Sequence, residues 1–361
     1  MNFQIVAHLA VFMLAATFVA GDTTAKPELH VLAPVTKGNL TIFPVVGGAA
    51  GDTSHLLTLD EGLRDGSVIV TEAGSLRGLV RPGSHYPSSG AEVNRLVLVN
   101  NSDRPLLLLA GEVVTGGKQD RVIGADRIVP PKSGPIDLSV FCVEPGRWVE
   151  ASTHFGSMKS QMAQPSVRMP AMAERNQAQV WERVASASSG MRAAVPQAAP
   201  TIVATTSYAR VMENPEVEKK VASVAADYDG LMHELHKLGA RGVVVAVNGR
   251  IVWADVFANT DLLEKYWQKL IRSYAAESLV RVGDTEPVSE KAAQAFLDQQ
   301  NGTREVTETE PGLFRRTEIS GDGFKIFKLT ALGPNGDYTV HFAKMSMETA
   351  RPQYEPIGLR R

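Results

Sequence analysis

Residues 106–148 read LLLLAGEVVTGGKQDRVIGADRIVPPKSGPIDLSVFCVEPGRW, and this run sets the character of the N-terminal half. An apolar strand enters a double-glycine turn at 116–117, and four polar residues, 118–121, follow directly. A second strand, 136–143, ends in another polar group. Strands that stop at glycine-rich, charged turns are frequent places for binding sites. The run therefore predicts a β-rich region with a site at its turns, but it names no reaction.

The segments around this run carry the same strand signal. Four short runs rich in apolar and β-branched residues predict strands, at Leu40–Val46, 67–71, 95–99 and 105–109. Turn sequences rich in Gly, Pro, Ser and Asn separate them. Short strands with frequent turns favour sheet-on-sheet or barrel-like packing. We predict a β-rich part over residues 26–156.

The composition changes over residues 157–206, which are rich in Ala, Ser, Gln and Met, with recurring prolines. We predict an insert that is mostly loop and carries one helix, at 174–187. Its methionines are expected to serve as flexible packing rather than as ligands of a soft metal. They are Met158, Met162, Met169, Met172 and Met191.

Residues 207–361 mix helix and strand signals. Apolar periodicity predicts helices at 215–238 and 289–299, and a third that Asp261 caps and that runs to 276. The Asn248-Gly249 pair predicts a hairpin. The closing strands are expected at 313–319, 324–329 and 338–343. The predicted fold class is α+β, with a β-rich N-terminal half (sandwich or barrel-like) and a helix-containing C-terminal half closed by strands.

Composition and the N-terminus bound the class of protein. A formal net charge of -2 over 361 residues gives no basic field, so nucleic acid is not an expected partner. Residues 9–20 are apolar and small residues follow, which predicts a signal peptide over residues 1–25 and an exported, periplasmic or extracellular protein. An uncleaved anchor or a buried helix are the alternatives, and no second membrane span is expected after cleavage. The single cysteine excludes an internal disulfide.

Glu112 is the first candidate for chemistry. If 106–114 is one strand, alternation puts Glu112 on an apolar face, where a carboxylate is costly unless it is paired. Lys118 or Arg121 would fold back across the glycine turn to meet it. The carboxylate is then either a general acid/base with a shifted pKa or half of a structural ion pair. A bulge at Gly111 that turns Glu112 outward is a third possibility.

Two further groups surround the predicted turns. Gly116-Gly117-Lys118 lacks the frame of a phosphate loop, which excludes nucleotide triphosphate binding by that route. The backbone N–H groups of the two glycines, with Lys118 and Arg121 nearby, are still able to cradle one anion, although a plain tight turn is more common. Beyond the second strand, Arg147 and Trp148 suit a phosphate or carboxylate that carries a flat ring, or else they pack over the end of the sheet.

The remaining reactive residue types favour structural roles. Cys142 shares a strand face with apolar residues, so a buried, inert thiol is expected rather than a nucleophile. His233 and His236 stand three apart, not the four that a zinc helix needs. His341 lies between Val340 and Phe342 in the last strand, and a packed or edge-exposed histidine is expected. We predict neither a metal nor a cofactor.

The run GEVVTGGKQDRVI…VPP…FCVEPGRW, followed by VVVAVNGRIVWADVFANTDLLEKYWQKLIRSYA, resembles a known family. It is similar to the bacterial domain family named for its association with ADP-ribosylglycohydrolase and rhodanese-phosphatase proteins, over roughly residues 29–277. The resemblance implies a link, by genomic association, to NAD-derived and ADP-ribose compounds. The polar positions that match the family's motifs are Glu112, Lys118, Gln119, Asp120, Arg121, Glu144, Arg147 and Trp148.

These observations lead to two hypotheses. In the first, a polar pocket at the two turns binds a small anionic, nucleotide- or ADP-ribose-like ligand and processes it. Glu112 would then be the general acid/base, the cations would neutralise the anion, and Trp148 would stack on a ring. In the second, the protein is a non-catalytic envelope or extracellular binding or scaffold domain. The sequence leaves open whether the protein is an enzyme.

Overall fold

The structure is a computed structural model that describes residues 29–48, 51–73, 95–146, 151–281, 283, 286–307, 312–333 and 336–347. The expected signal peptide, residues 1–25, lies outside these residues. The fold is α+β, about 35% helix and 34% strand. Among the described residues, no helix combines the length and the apolar character that crossing a bilayer requires.

The strands and helices are numbered in chain order. Strands β1–β12 span His30–Val31, Val35–Lys37, Leu40–Val46, Leu57–Thr58, Val68–Glu72, Arg95–Asn100, Leu106–Leu108, Glu112–Thr115, Arg121–Ile123, Arg127–Val129, Ile136–Cys142 and Gly156–Met162. Strands β13–β18 span Gly242–Val247, Arg250–Phe257, Thr303–Thr307, Phe314–Gly321, Phe324–Ala331 and Tyr338–Ser346. Helices α1–α9 span Leu59–Arg64, Pro165–Met169, Gln177–Ala194, Ala199–Val203, Tyr208–Met212, Pro215–Ala226, Leu231–Lys237, Thr260–Val280 and Glu290–Asp298.

The largest sheet has nine strands in the order β1-β3-β13-β14-β18-β17-β16-β15, with β2 paired to β3. Asn248 and Gly249 take positive φ at the turn of the β13–β14 hairpin, as the Asn-Gly pair predicts. Both faces of β13 are buried: Val243 and Val245 face the core under α8, and Val244 faces a second core with α9. Strand β3 pairs with β13, so the sheet combines strands from the N-terminal and the C-terminal parts of the described chain.

The strand-rich N-terminal half contains a nearly closed, barrel-like sheet. Six strands follow the order β12-β8-β9-β11-β6-β5, and a smaller sheet, β10-β7-β4, packs with them. A bridge between Thr71 of β5 and His154, just before β12, draws the two ends of the six-stranded order together. This half of the fold confirms the barrel-like alternative.

The apolar run 106–114 is not one strand. β7 and β8 belong to different sheets, and the chain turns between them at Leu109–Gly111. Gly111 has φ +98, and a Cβ there would lie 2.6 Å from the Arg168 side chain, so glycine is required. The alternation that placed Glu112 on the face of Leu108 is therefore wrong, because the chain direction changes at the glycine.

Residues 157–206 are more regular than the loop predicted for them. β12, α2, a π-helical turn at Pro170–Glu174, α3 and α4 occupy most of the segment. Val180, Val184 and Met191 of α3 are buried in a core that includes Ala275 and Ala276 of α8. The composition did not indicate a long helix, because the many Ala and Ser residues of α3 give it no strongly apolar face. These small residues still allow α3 to pack closely against α8. All five methionines are buried, as packing residues are.

Two helix boundaries also differ from the periodicity. The helix expected at 215–238 is broken into α6 and α7, because Gly230 takes φ +82 and Tyr228 turns inward to donate to the Leu40 carbonyl oxygen. The N-cap of α8 is Asn259 rather than Asp261, since its side chain accepts from the Leu262 N–H. Polar side chains two residues apart are both plausible caps from sequence alone.

Candidate functional site

The two predicted turns meet at one edge of the six-stranded sheet. β9 pairs with β8 on one side and with β11 on the other, and the register sets Arg121 opposite both Val114 and Cys142. The β8–β9 turn and the residues after β11 are thereby brought side by side, with the end of β5 next to them. We call this group the turn cluster; it consists of Glu72, Lys118, Gln119, Asp120, Arg121 and Glu144.

Arg121 and Glu72 form the buried centre of the turn cluster. Arg121 is 0% exposed and Glu72 is 2% exposed. Arg121 Nη2 lies 4.0 Å from Glu72 Oε1, and the same oxygen accepts from the Lys118 N–H at 2.9 Å. No sequence pattern points to Glu72, which ends an ordinary β-strand far from the motif.

Asp120 and Glu144 hold the two turns together. Asp120 Oδ1 accepts from the Gly116 N–H at 3.1 Å, and Oδ2 accepts from the Ser207 hydroxyl at 2.8 Å. The Asp120 N–H donates to Glu144 Oε2 at 3.2 Å, and Gln119 Nε2 donates to the Glu144 carbonyl oxygen at 3.0 Å. These carboxylates brace the backbone, and Ser207 ties them to the start of α5.

The glycine turn is not an open anion cradle. Its N–H groups are used by side chains: Gly116 donates to Asp120, Gly117 to Ser152 at 3.2 Å, and Lys118 to Glu72. A Cβ at Gly117 would lie 2.2 Å from the Phe155 ring, so the residue must be glycine. Of the two alternatives for the Gly-Gly pair, the structure has the tight turn, and its N–H groups already donate to side chains.

Two oxygen atoms of the turn cluster lack partners. Glu72 Oε2 and Gln119 Oε1 are buried and accept no hydrogen bond. Buried polar atoms without a partner are rare in folded proteins, and each one calls for a physical explanation. The turn cluster therefore has hydrogen-bonding capacity that its own side chains do not use.

Glu112 lies apart from this group in its bonding. It is 1% exposed, and its carboxylate accepts from Lys269 Nζ at 2.7 Å and from the Leu109 N–H at 2.9 Å. Lys269 also reaches Asp60 at 2.8 Å. The partners expected for Glu112, Lys118 and Arg121, are not its partners: α8 supplies the cation instead, from 157 residues along the chain.

Burial and ion pairing shift the pKa values of Glu112 and Lys269. Burial raises the pKa of Glu112, and Lys269 opposes the rise. Burial works against the charge of Lys269, yet Glu112 and Asp60 raise its pKa above the ordinary value. With one ammonium held between two carboxylates, the arrangement is closed to a substrate proton and suits a structural ion pair.

Two other expectations concern the residues after β11. Arg147 and Trp148 lie outside the described residues. Cys142 is buried, and burial raises the pKa of its thiol, as expected for an inert core cysteine. Its backbone N–H and carbonyl are both bound by the Gln177 side chain, at 2.8 Å each, which attaches α3 to β11.

The structure contains a second polar centre that the sequence patterns do not predict. We call it the Asp255 centre; it consists of Asp126, Arg168, Trp253, Asp255, Tyr274 and His341. Arg168 meets the Asp255 carboxylate with two bonds, at 3.0 and 3.1 Å. Trp253 Nε1 donates to Asp255 at 2.9 Å, and Tyr274 Oη donates at 2.5 Å. Asp255, which lies between the apolar pairs Trp253-Ala254 and Val256-Phe257 of β14, is a signal that the sequence offers.

His341 completes the Asp255 centre. Its ring nitrogens lie 2.6 Å from Asp126 Oδ2 and 3.1 Å from Asp255 Oδ1. Burial opposes the charge of the imidazole, but Asp126 and Asp255 raise the pKa of His341 to about 9. Although burial raises the pKa of Asp255, Arg168 and His341 hold it well below its usual range. Of the two alternatives expected for His341, packed or edge-exposed, the structure shows the packed one.

Two surface features of the described residues lie outside the turn cluster and the Asp255 centre. His236, Asp261 and Glu264 place possible ligand atoms within 4.8 Å of one another. All three are exposed, and exposed acidic groups often lie this close without an ion. A cavity of about 240 Å³ lies between α6, α7 and α8, beside Trp267 and Arg272, and it does not include the turn cluster.

The chain matches the model of a known protein family. The family model of the ARPP-1 domain, the ARG and Rhodanese-Phosphatase-superfamily-associated Protein domain, covers residues 28–345. No curated protein and no solved structure matches the chain.

Proposed function

The chain belongs to the ARG and Rhodanese-Phosphatase-superfamily-associated Protein family, and we propose that it is an exported protein that binds a small anionic, nucleotide- or ADP-ribose-like ligand at the turn cluster. One observation carries this proposal. Two motif turns and the end of β5 converge on a fully buried arginine, beside polar atoms that no side chain satisfies. A guanidinium held in a fixed geometry suits the recognition of phosphate or carboxylate groups.

The charges at the turn cluster favour a ligand that carries a second polar group beside its anionic group. Lys118 and Arg121 carry two positive charges, while Glu72, Asp120 and Glu144 carry three negative ones. Asp120 and Glu144 are engaged in bracing the turns. In this proposal Lys118 and Arg121 contact the anionic group of the ligand, and the Glu72 carboxylate, whose Oε2 accepts no hydrogen bond, contacts a different part of it.

The proposal assigns no chemical step. Glu112, the expected general acid/base, is closed off by Lys269 and Asp60. A general base must reach the proton that it removes. In this proposal Glu112 therefore stabilises the fold. The proposed function is the binding of a ligand, with no reaction assigned. Export rests on the apolar N-terminal segment of the sequence.

A thermal-shift titration tests the proposal. ADP-ribose, NAD, nucleotides and sugar phosphates are titrated against the full chain, and specific binding should raise the melting temperature with ligand concentration. Arg121→Met should abolish the rise, while Arg304→Met, an exposed arginine on β15, should keep it. Lys118→Met tests the same site if Arg121→Met does not fold. A panel in which no compound raises the melting temperature of the unaltered protein would favour the non-catalytic scaffold instead.

A further inference from the structure

We infer that the ligand of the turn cluster carries hydroxyl groups, as a sugar does, and that these donate hydrogen bonds to the Glu72 carboxylate and the Gln119 side-chain carbonyl. The inference rests on the proposed function and names the chemistry that the site selects. It assigns recognition of the uncharged part of the ligand to two residues, one of which lies outside the sequence motif.

Glu72 and Gln119 each have one side-chain atom without a hydrogen bond, and both of these atoms are acceptors. Glu72 Oε2 and Gln119 Oε1 are buried without a hydrogen bond, whereas the other polar atoms of these side chains are used. Glu72 Oε1 accepts from the Lys118 N–H, and Gln119 Nε2 donates to the Glu144 carbonyl oxygen. Each side chain is thus fixed by one hydrogen bond and has one buried acceptor atom that accepts none.

An ionised anion cannot satisfy these atoms. Phosphate and carboxylate groups at neutral pH are mainly acceptors, and they would be repelled by Glu72. The backbone N–H groups of 116–118 are already occupied, so the turn has no spare donors either. Some other part of the ligand must therefore supply the donors, because a buried acceptor left without a partner is costly.

Hydroxyl groups fit better than an ammonium group. The guanidinium of Arg121 lies 4.0 Å from Glu72, so a second cation at Glu72 would be placed beside a buried positive charge. A hydroxyl group is neutral and donates one hydrogen bond to each acceptor. The geometry thus favours a polyol portion next to an anionic group.

Isothermal titration with four simple probes tests the inference on the full chain. The probes are inorganic phosphate, ribose 5-phosphate, pentyl phosphate and 5-aminopentyl phosphate. The last two have a similar length but carry, respectively, no donor and one ammonium group. We expect ribose 5-phosphate to bind at least about tenfold more tightly than the other three, as one or two hydrogen bonds of about 1.4 kcal/mol in total would give.

Variants connect the preference to the two residues. Glu72→Gln should remove the advantage of ribose 5-phosphate and keep the binding of phosphate, and Gln119→Met should reduce the same advantage if Glu72→Gln does not fold. Glu305→Gln, an exposed carboxylate on β15, serves as the matched control and should change nothing.

The outcomes separate the two proposals. Equal binding of ribose 5-phosphate and pentyl phosphate, or tighter binding of the aminopentyl compound, overturns the hydroxyl inference and leaves anion binding intact. Binding of none of the phosphate probes overturns both. A preference for ribose 5-phosphate that survives in both Glu72→Gln and Gln119→Met overturns the assignment to these residues.

Discussion

The Asp255 centre and the turn cluster are both buried and charged, but they differ in how fully their carboxylates are bonded. The two oxygens of Asp255 accept from four side chains, Arg168, Trp253, Tyr274 and His341. In the turn cluster, Glu72 has one weak ion pair, one backbone donor and one oxygen without a partner. A fully bonded buried carboxylate stabilises a fold, whereas a partly bonded one keeps an acceptor available to a ligand.

Their positions in the fold match this difference. The Asp255 centre draws residues from α2, α8, two strands of the large sheet and the loop that holds Asp126, so it joins the barrel-like half to the rest of the molecule. The turn cluster lies at strand ends. The comparison predicts that substitutions in the first affect stability and substitutions in the second affect binding.

The largest effect is expected for Asp255→Asn. The change leaves the charges of Arg168 and His341 buried without their shared carboxylate, which should cost about 3–5 kcal/mol of unfolding free energy. Urea unfolding followed by circular dichroism measures it. Glu234→Gln, an exposed residue paired with Lys237, is the control and should leave the midpoint unchanged. A loss below about 1 kcal/mol would mean that the Asp255 centre does not hold the two halves together.

The second effect is a dependence of stability on pH. The folded pKa of His341, about 9, lies above its ordinary value of 6.5. Its contribution is therefore fully present below about pH 6.5 and is lost as the pH rises through 9, by about 3 kcal/mol in total. The difference in unfolding free energy between the unaltered protein and His341→Gln, measured from pH 6 to 10, should shrink over this window. A constant difference would show that His341 is neutral in the folded protein.

A smaller loss is expected for Glu112→Gln. The amide still accepts from the Leu109 N–H, and Lys269 keeps Asp60, so about 1–3 kcal/mol should be lost. Thermal melting and ligand titration on the same sample give both readouts. The melting temperature should fall and binding at the turn cluster should persist. An unchanged melting temperature combined with lost ligand binding would make Glu112 part of the binding site rather than of the fold.

The smallest effect on stability is expected for Glu72→Gln. Glutamine can still accept from the Lys118 N–H, and only a 4.0 Å ion pair is lost, so the cost should be about 1 kcal/mol or less. Urea unfolding measures the stability. A loss as large as that of Asp255→Asn would make Glu72 part of a structural network and would remove the contrast between the two regions.

Much of the fold could be predicted from local patterns. The Asn248-Gly249 hairpin, the helix that follows Ser289 and the closing strands are present near their predicted positions. The break at Gly111 and the order of residues 157–206 could not be predicted in the same way. The first depends on the close approach of Arg168, and the second depends on how α3 packs against α8.

The candidate site shows the same division. The sequence motif points to Gln119, Asp120, Arg121 and Glu144. The register of β8, β9 and β11 brings these residues together. Glu72 was not named, because nothing in its own strand distinguishes it. Glu112 was named with the wrong partner, since the sequence offered nearby cations and the fold used a distant one.

The sequence by itself determined the α+β class, the strands and helices whose periodicity is strong, the family, and the turns that carry charge. Only the tertiary structure decided which charges meet. Asp126 and His341 are 215 residues apart in the chain, Glu112 and Lys269 are 157 apart, and Arg168 and Asp255 are 87 apart. Periodicity and turn chemistry act within a few residues, whereas ion pairing in the core depends on distances that exist only after the sheets and α8 have packed.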